Sequence, residues 1–300
     1  MSIEVSALTK KYGEQKAIDD LTFKVAQGEI AGFLGPNGAG KSTTMKILTG
    51  YLSPNGGSAS VCGINVQEQP LESKKKIGYL PEGNPLYYDM YVREYLDFIA
   101  GVHAIPNKKK RIEEVIGMVG LSPESGKKLG QLSKGYKQRA GLAASLIHDP
   151  EVLILDEPTT GLDPNQIIEI RELIRSLGQK KTVLFSSHIL QEVEAICDRV
   201  IIIHMGKLVA DETMSQLQKQ HAGNMIRVEF REPVEPTLLQ SLERAKSVRQ
   251  GDANHWEIET DDPDQLKKHL MELALKNNLN IVSLQSHQKR LEDVFRSLTS

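Results

Sequence analysis

The sequence predicts an α/β fold: a mixed sheet with an antiparallel part at its start and a helical insertion in the middle, followed by a small α+β domain. Three observations predict it. Alternating apolar positions open the chain, Ile3 and Val5 and then Leu21, Phe23 and Val25, with the period of half-buried antiparallel strands. Later runs at Val152–Leu155, Thr182–Ser186 and Arg199–Ile203 are aliphatic nearly throughout, as parallel strands covered on both faces are. Finally, the pattern restarts around His221-Ala222-Gly223-Asn224. The expected boundaries are 1–220 for the first domain, with the insertion at about 87–147, and 222–300 for the second.

Each element has its own signal. Ile30–Leu34 is a strand-sized apolar run that leads into Gly35-Pro36-Asn37-Gly38-Ala39-Gly40-Lys41-Ser42 and then into a helix beginning at about Lys41. From about Tyr87 to Ile147 the spacing is helical and no good strand appears, for example at Tyr91, Tyr95 and Phe98 and then at Ile112, Val115, Ile116 and Val119. A further helix follows Asp163, which can cap it; Pro164 suits its first turn and Gly178 can end it. In the second domain, strands are expected at Ile226, Val228 and Phe230, at Trp256 and Ile258, and at Ile281–Leu284. Helices at Pro236–Ala245 and Asp264–Lys276 complete a ferredoxin-like alternation.

Composition narrows the function. With 39% hydrophobic and 25% charged residues in 300, the chain reads as globular, and no stretch approaches the roughly 18 apolar residues of a membrane span. Met1-Ser2-Ile3-Glu4 does not open a secretory signal, so a cytoplasmic location is expected, with any membrane role supplied by a partner. A formal net charge of −2 gives no overall pull toward nucleic acid. The basic runs Lys74–Lys76 and Lys108–Arg111 read as solvated faces or a helix start. Cys62 and Cys197, far apart and without zinc-ligand spacing, read as buried thiols.

Residues Gly35–Ser42 match G-x-x-x-x-G-K-[ST] in the strand–loop–helix setting that gives the pattern meaning. The glycines let successive N–H groups of Gly35, Pro36, Asn37, Gly38, Ala39 and Gly40 turn around a phosphate, apart from the proline. Lys41 places an ammonium between β- and γ-phosphates, the Ser42 hydroxyl suits Mg²⁺, and Thr43 continues the cradle into the helix. Kinases, GTPases and helicases share this loop. The strand Val152–Leu155 ends in two adjacent carboxylates: Asp156 would hold Mg²⁺ through its water shell, and Glu157 would polarise an attacking water.

Shortly before that strand stands Leu132-Ser133-Lys134-Gly135-Tyr136, followed by Lys137-Gln138-Arg139. Together these motifs resemble the P-loop NTPases of the ABC ATPase family over residues 2 to about 220. The resemblance implies ATP and Mg²⁺ as cofactors, and Ser133 and Gly135 reaching the γ-phosphate held by an opposite subunit. It also implies Asp163 of Gly161-Leu162-Asp163-Pro164 crossing a dimer interface, His188 of Ser186-Ser187-His188 sensing the γ-phosphate, and Tyr12 stacking on adenine. Lys134 and Tyr136 replace the usual Gly and Gln, with Lys134 a possible further phosphate contact. Glu82 stands where the family has a Gln that reaches the metal.

The implied partners are ATP, a head-to-tail homodimer or a closely related second ATPase, and an integral membrane permease. No nucleic acid is expected, and the chain would be peripheral on the inner face of the cell membrane. Glu82, Asn84-Pro85-Leu86-Tyr87, Met90–Leu96 and the C-terminal Leu291–Phe295 look like ABC-2-type exporter subunits, nearest the gliding-motility-associated subunit of Bacteroidetes. A soluble ABC ATPase acting on nucleic acid or ribosomes is the rival reading, but such proteins carry two cassettes or a coiled-coil insertion. A weakly hydrolysing regulatory module is the third.

Overall fold

The computed structural model describes residues 1–221, 224–251, 254–288 and 295. The chain divides into two compact units, one ending at Met214 and the next beginning at Ser215. The first unit opens with β1 (Ile3–Tyr12), β2 (Gln15–Val25), β3 (Ile30–Leu34), α1 (Lys41–Leu48), β4 (Gly56–Val61), β5 (Ile64–Asn65), α2 (Pro70–Lys76) and β6 (Ile77–Leu80). A helical insertion follows, α3 (Val92–Val102), α4 (Lys108–Met118) and α5 (Lys134–Leu146). The unit closes with β7 (Val152–Asp156), α6 (Pro164–Gly178), β8 (Thr182–Ser187), α7 (Leu190–Ile196), β9 (Arg199–His204) and β10 (Lys207–Thr213). Helix α8 (Met214–His221) runs past the division. The second unit holds β11 (Asn224–Phe230), α9 (Pro236–Gln240), β12 (Ser247–Gln250), β13 (His255–Thr260), α10 (Pro263–Lys276) and β14 (Ile281–Gln288).

Alternation puts the first sheet where the sequence expects it. In the antiparallel order β2-β1-β4-β5, Ile3 pairs with Val25 and Val5 with Phe23, so the apolar positions share one face. That face joins Phe33, Ile154, Leu184 and Ile201 in one core, where each such side chain contributes about 1.5–3 kcal/mol by leaving water. The main sheet has the order β10-β9-β3-β8-β7-β6, parallel from β9 to β6 with β10 antiparallel at one edge. Its register sets Leu34 beside Ser187 and Asp156 beside Ser186, so three strand ends finish at one level along the carboxyl edge. Ligands of open α/β sheets bind at that edge.

The structure departs from the sequence expectation at several points. Gly178 ends α6 as expected, but by close packing rather than as a left-handed cap: Ile30 fills the space its Cβ would take, and Gln179 is the C-cap. In α3 the buried stripe is Val92, Tyr95, Leu96 and Ala100, which leaves Tyr91 and Phe98 on the flank, half-exposed. Lys74–Lys76 end α2, where the helix dipole favours them, whereas Lys108–Arg111 open α4 against it. Arg111 finds compensation by donating to the C-terminal carbonyls of Leu146 at 2.7 Å and Ile147 at 3.0 Å. Cys197 is buried but Cys62 only partly so, and burial pushes both thiols up.

The second unit has the strand order β12-β13-β11-β14, all antiparallel, the ferredoxin-like arrangement. Ile226, Val228, Phe230, Trp256 and Ile258 from the sheet pack with Leu266 and Leu270 of α10. Helix α9 stops at Gln240, short of Ala245, and β12 is a strand the sequence does not announce. Residues 291–294 lie outside the described ones. Among the described residues no helix is long and apolar enough to cross a membrane.

Candidate functional site

The loop between β3 and α1 has the conformation its glycines allow. Gly38 and Gly40 sit at φ +80 and +108°, the left-handed region that a side chain disfavours. Gly35 is required for approach rather than angle, because a Cβ there would stand 2.5 Å from the Ile203 carbonyl oxygen. No side chain caps α1, so its first-turn amides and positive dipole end face the loop. A cleft of about 280 Å³ opens there, lined by Asn37, Gly38, Gly40, Lys41, Ser42 and Thr43, by Ala17 of β2, by Glu82 after β6 and by Glu157 after β7. Pro36 and Ala39 support the loop from within, the Ala39 amide donating to the Pro36 carbonyl at 3.1 Å.

Two chains of contacts run through the floor of this cleft. In the first, Asp156 Oδ1 accepts from the Ser42 hydroxyl at 3.1 Å and the Ser186 hydroxyl at 2.7 Å. Burial pushes the Asp156 carboxyl above the usual carboxylate range, against those two hydroxyls, which favour the ionised form. Hard oxygen donors around a buried carboxylate short of positive charge fit a cation of the magnesium type. In the second chain, Lys41 Nζ donates to the Gly35 carbonyl at 2.8 Å and lies 3.3 Å from Glu157 Oε1, both side chains being about 6% exposed. His188 Nδ1 is 2.9 Å from Glu157 Oε2, which also accepts from Thr160 Oγ1 at 3.3 Å. The Glu157 amide donates to Ser186 Oγ at 2.9 Å and its backbone lies at φ +50°, so strand β8 holds the carboxylate in place.

Other residues singled out from the sequence lie elsewhere. Ser133 caps α5, accepting from the Tyr136 amide at 3.3 Å, and Gly135 is packed beneath Gln166; neither lines the cleft of its own chain. The Lys134 ammonium rests against Gly161 of its own chain. Asp163 caps α6 by accepting from the Gln166 amide at 3.0 Å. Tyr12 ends β1, half-exposed, with the Lys10 ammonium 5.5 Å from its ring centre; it does not line this cleft, where Ala17 of β2 does.

A family model described as "ABC transporter" matches residues 18–160, which include the phosphate loop and the paired carboxylates. The bacitracin transport ATP-binding protein BcrA of Bacillus licheniformis is 38% identical over 99% of this chain and 96% of its own. The chain belongs to the ABC transporter ATP-binding protein family. The linearmycin resistance ATP-binding protein LnrL of Bacillus subtilis is 31% identical over 99% of this ABC ATPase and 98% of its own length. A solved ATP-binding subunit of an ABC transporter superposes with TM-score 0.67 at 30% identity, covering 73% of this chain and 93% of that one. A dimeric bacterial ABC transporter cassette gives 0.65 at 25% identity, over 71% and 98%. Residues 213–299 match the C-terminal domain of DrrA1-3-like ATP-binding proteins.

This ABC ATPase also has features that motif reading misses. Thr159, Thr160 and Glu192 surround the carboxylate loop, and only their place in the fold brings them there. A second cleft of about 390 Å³ separates the sheet from the helical insertion, bounded by Tyr79, Pro81, Pro85, Tyr95, His103 and His148 among others. There the His103 and His148 rings stack at 4.0 Å, and His148 Nε2 meets the Ile77 carbonyl at 2.9 Å. Burial, with His103 beside it, pushes the His148 imidazole down to about 4, and burial lowers His103 as well. Unfolded histidine titrates near 6.5, so between these values the folded chain binds fewer protons. Stability is therefore full above about pH 6.5 and falls as pH drops toward 4, by about 1–2 kcal/mol at pH 5 after allowing for solvent screening. Urea unfolding at pH 7 and pH 5 is expected to show this loss, and His148→Gln to flatten it.

Proposed function

We propose that this ABC ATPase energises export through a separate integral membrane permease, working as a head-to-tail dimer, or with a closely related second ATPase, that closes on two ATP molecules. One observation carries the reading. The cleft gathers the phosphate loop and Glu157, with Asp156 behind Ser42 and His188 behind Glu157, while the helix-tip residues Ser133 and Gly135 stand outside it. A γ-phosphate held by Lys41 would lack its second set of donors until another copy supplies them.

The residues then take these roles. ATP entering the cleft competes with Glu157 for the Lys41 ammonium, and the phosphates offer it more charge. Released from Lys41, Glu157 keeps its contact with His188 and faces the attacking water as general base. Ser42 and Asp156, with Glu82 on the same cleft, would hold Mg²⁺, which neutralises phosphate charge. Ser133, Gly135 and Asp163 act across the dimer, and Tyr12 or its neighbours meet the adenine. Loss of the γ-phosphate removes what joins the two copies, so hydrolysis opens them.

The permease receives that motion at the cleft between sheet and insertion, whose wall includes Pro81, Asn84 and Pro85 from the loop bearing Glu82. The relatives named for bacitracin transport and linearmycin resistance support efflux of antibiotic-like cargo. The likeness to a gliding-motility subunit rests only on the sequence, on Glu82, the words that follow it and Leu291–Phe295. Purified from its native membrane, the protein is expected in complex with a polytopic membrane protein that raises its ATPase turnover. Turnover raised by nucleic acid and indifferent to any membrane partner would overturn the proposal.

A further inference from the structure

We infer that Glu192 is a positioning residue for hydrolysis, a buried anion that clamps the segment bearing Glu157 to the segment bearing His188; this rests on Glu157 acting as the base. Glu192 lies in the first turn of α7 and is 2% exposed. Its Oε2 accepts two hydroxyls, Thr159 Oγ1 and Ser187 Oγ, each at 2.7 Å. Thr159 is 3% exposed and Ser187 fully buried, so neither has water as an alternative. Arg171 Nη2 stands 3.8 Å from the other carboxylate oxygen.

The connectivity gives the contact its meaning. Thr159 follows Glu157 by two residues and Ser187 precedes His188 by one, while Glu157 and His188 meet each other at 2.9 Å. The two segments thus meet at the Ser186 hydroxyl and at the reacting pair, and Glu192 joins them once more from behind. The Ile189 amide donates to Ser187 Oγ at 3.0 Å, which occupies a lone pair of that hydroxyl and leaves its proton for Glu192. Buried carboxylates are costly unless their oxygens are filled by strong donors. Here two charge-assisted hydroxyl bonds fill Oε2 while Arg171 faces Oε1 as an ion pair, and both hydroxyls belong to the segments whose relative position sets the base. None of these contacts involves Lys41, Ser42 or the glycines that would hold phosphate.

The clamp therefore predicts a loss in turnover and none in nucleotide affinity. For the full-length chain with ATP and Mg²⁺, Glu192→Ala is expected to lower kcat by about 10–100-fold with KM for ATP within about twofold, as a misplaced group does. Glu192→Gln, whose amide oxygen still accepts both hydroxyls, is expected to recover most of the rate. If Glu192→Ala fails to fold, the double variant Thr159→Val, Ser187→Ala removes the donors and keeps the carboxylate, and is expected to show the same loss confined to kcat. Wild-type kcat in these variants, a loss carried by KM, or Glu192→Gln no better than alanine overturns the inference. Glu157→Gln measured alongside separates the two claims: wild-type turnover there sinks the reading of the base, whereas its loss with a silent Glu192 sinks the clamp alone.

Discussion

Glu157→Gln is expected to lower ATP turnover by about 10²–10⁴-fold while ATP affinity stays within a few-fold. Glu157 is anchored by its amide on Ser186, by Thr160 and by His188, so glutamine inherits a side chain of the same shape in the same place. What it loses is the capacity to take a proton from water. Affinity should hold because the residues that line the cleft as a phosphate cradle are Lys41, Ser42 and the loop glycines. The Lys41 ammonium even gains freedom, since its buried anionic partner becomes neutral. Steady-state ATPase rates set beside equilibrium nucleotide binding check both halves of the expectation. Turnover within about threefold of wild type would remove Glu157 from the chemistry.

Lys41→Ala is expected to weaken ATP binding by on the order of 10²-fold and to abolish measurable turnover at millimolar ATP. A charge-assisted hydrogen bond to phosphate is worth about 1.5–3 kcal/mol, and Lys41 reaches toward two phosphates. The substitution also harms the protein itself. It strips the ammonium from the Gly35 and Pro36 carbonyls and leaves Glu157, about 6% exposed, without its cation. An unpaired buried charge is costly, so a fall in melting temperature should accompany the loss of binding. The pair Lys41→Ala and Glu157→Gln resolves the two effects: the double variant relieves the unpaired anion and should regain stability without regaining ATP. Isothermal titration and thermal unfolding of the three variants measure this directly.

The fold was legible in the sequence wherever a local pattern decides it. The strand Ile30–Leu34, the glycine loop and the helix from Lys41 appear at the expected residues, because strand, loop and dipole are set by neighbours in the chain. Strands β4, β5, β6, β10 and β12 were not legible, and for three of them the reason is plain. β6 contains Gly78, a poor strand residue, kept because any Cβ would meet the Ser145 carbonyl, Leu153 and Pro150. β10 and β12 are edge strands of charged and polar residues, half-buried or exposed, and they carry little alternation.

The candidate site divides in the same way. Residues within a local motif, Lys41 and Ser42 in one and Asp156 and Glu157 in another, come together because the loop after β3 and the end of β7 lie at the same edge of the sheet. Residues that act between segments gave no sign. Glu192 is one acid among several on a short helix, and only the packing of α7 aims it at Thr159 and Ser187. Asn84 likewise reads as a loop residue, yet its amide donates to the Lys137 carbonyl at 2.7 Å and its side chain fills the space over Gly141. That contact ties the loop after Glu82 to the helix bearing Ser133 and Gly135. The departures Lys134 and Tyr136 were visible as letters but not as positions, since the place of Lys134 depends on where Gly161 passes.

Sedimentation of Glu157→Gln is the most direct test, because the account depends on ATP being gripped by two copies. With saturating ATP and Mg²⁺ the variant should sediment as a dimer, and as a monomer with ADP or when Ser133 is also changed to a bulky residue. A monomer at every nucleotide condition, or a dimer indifferent to ATP, would contradict it.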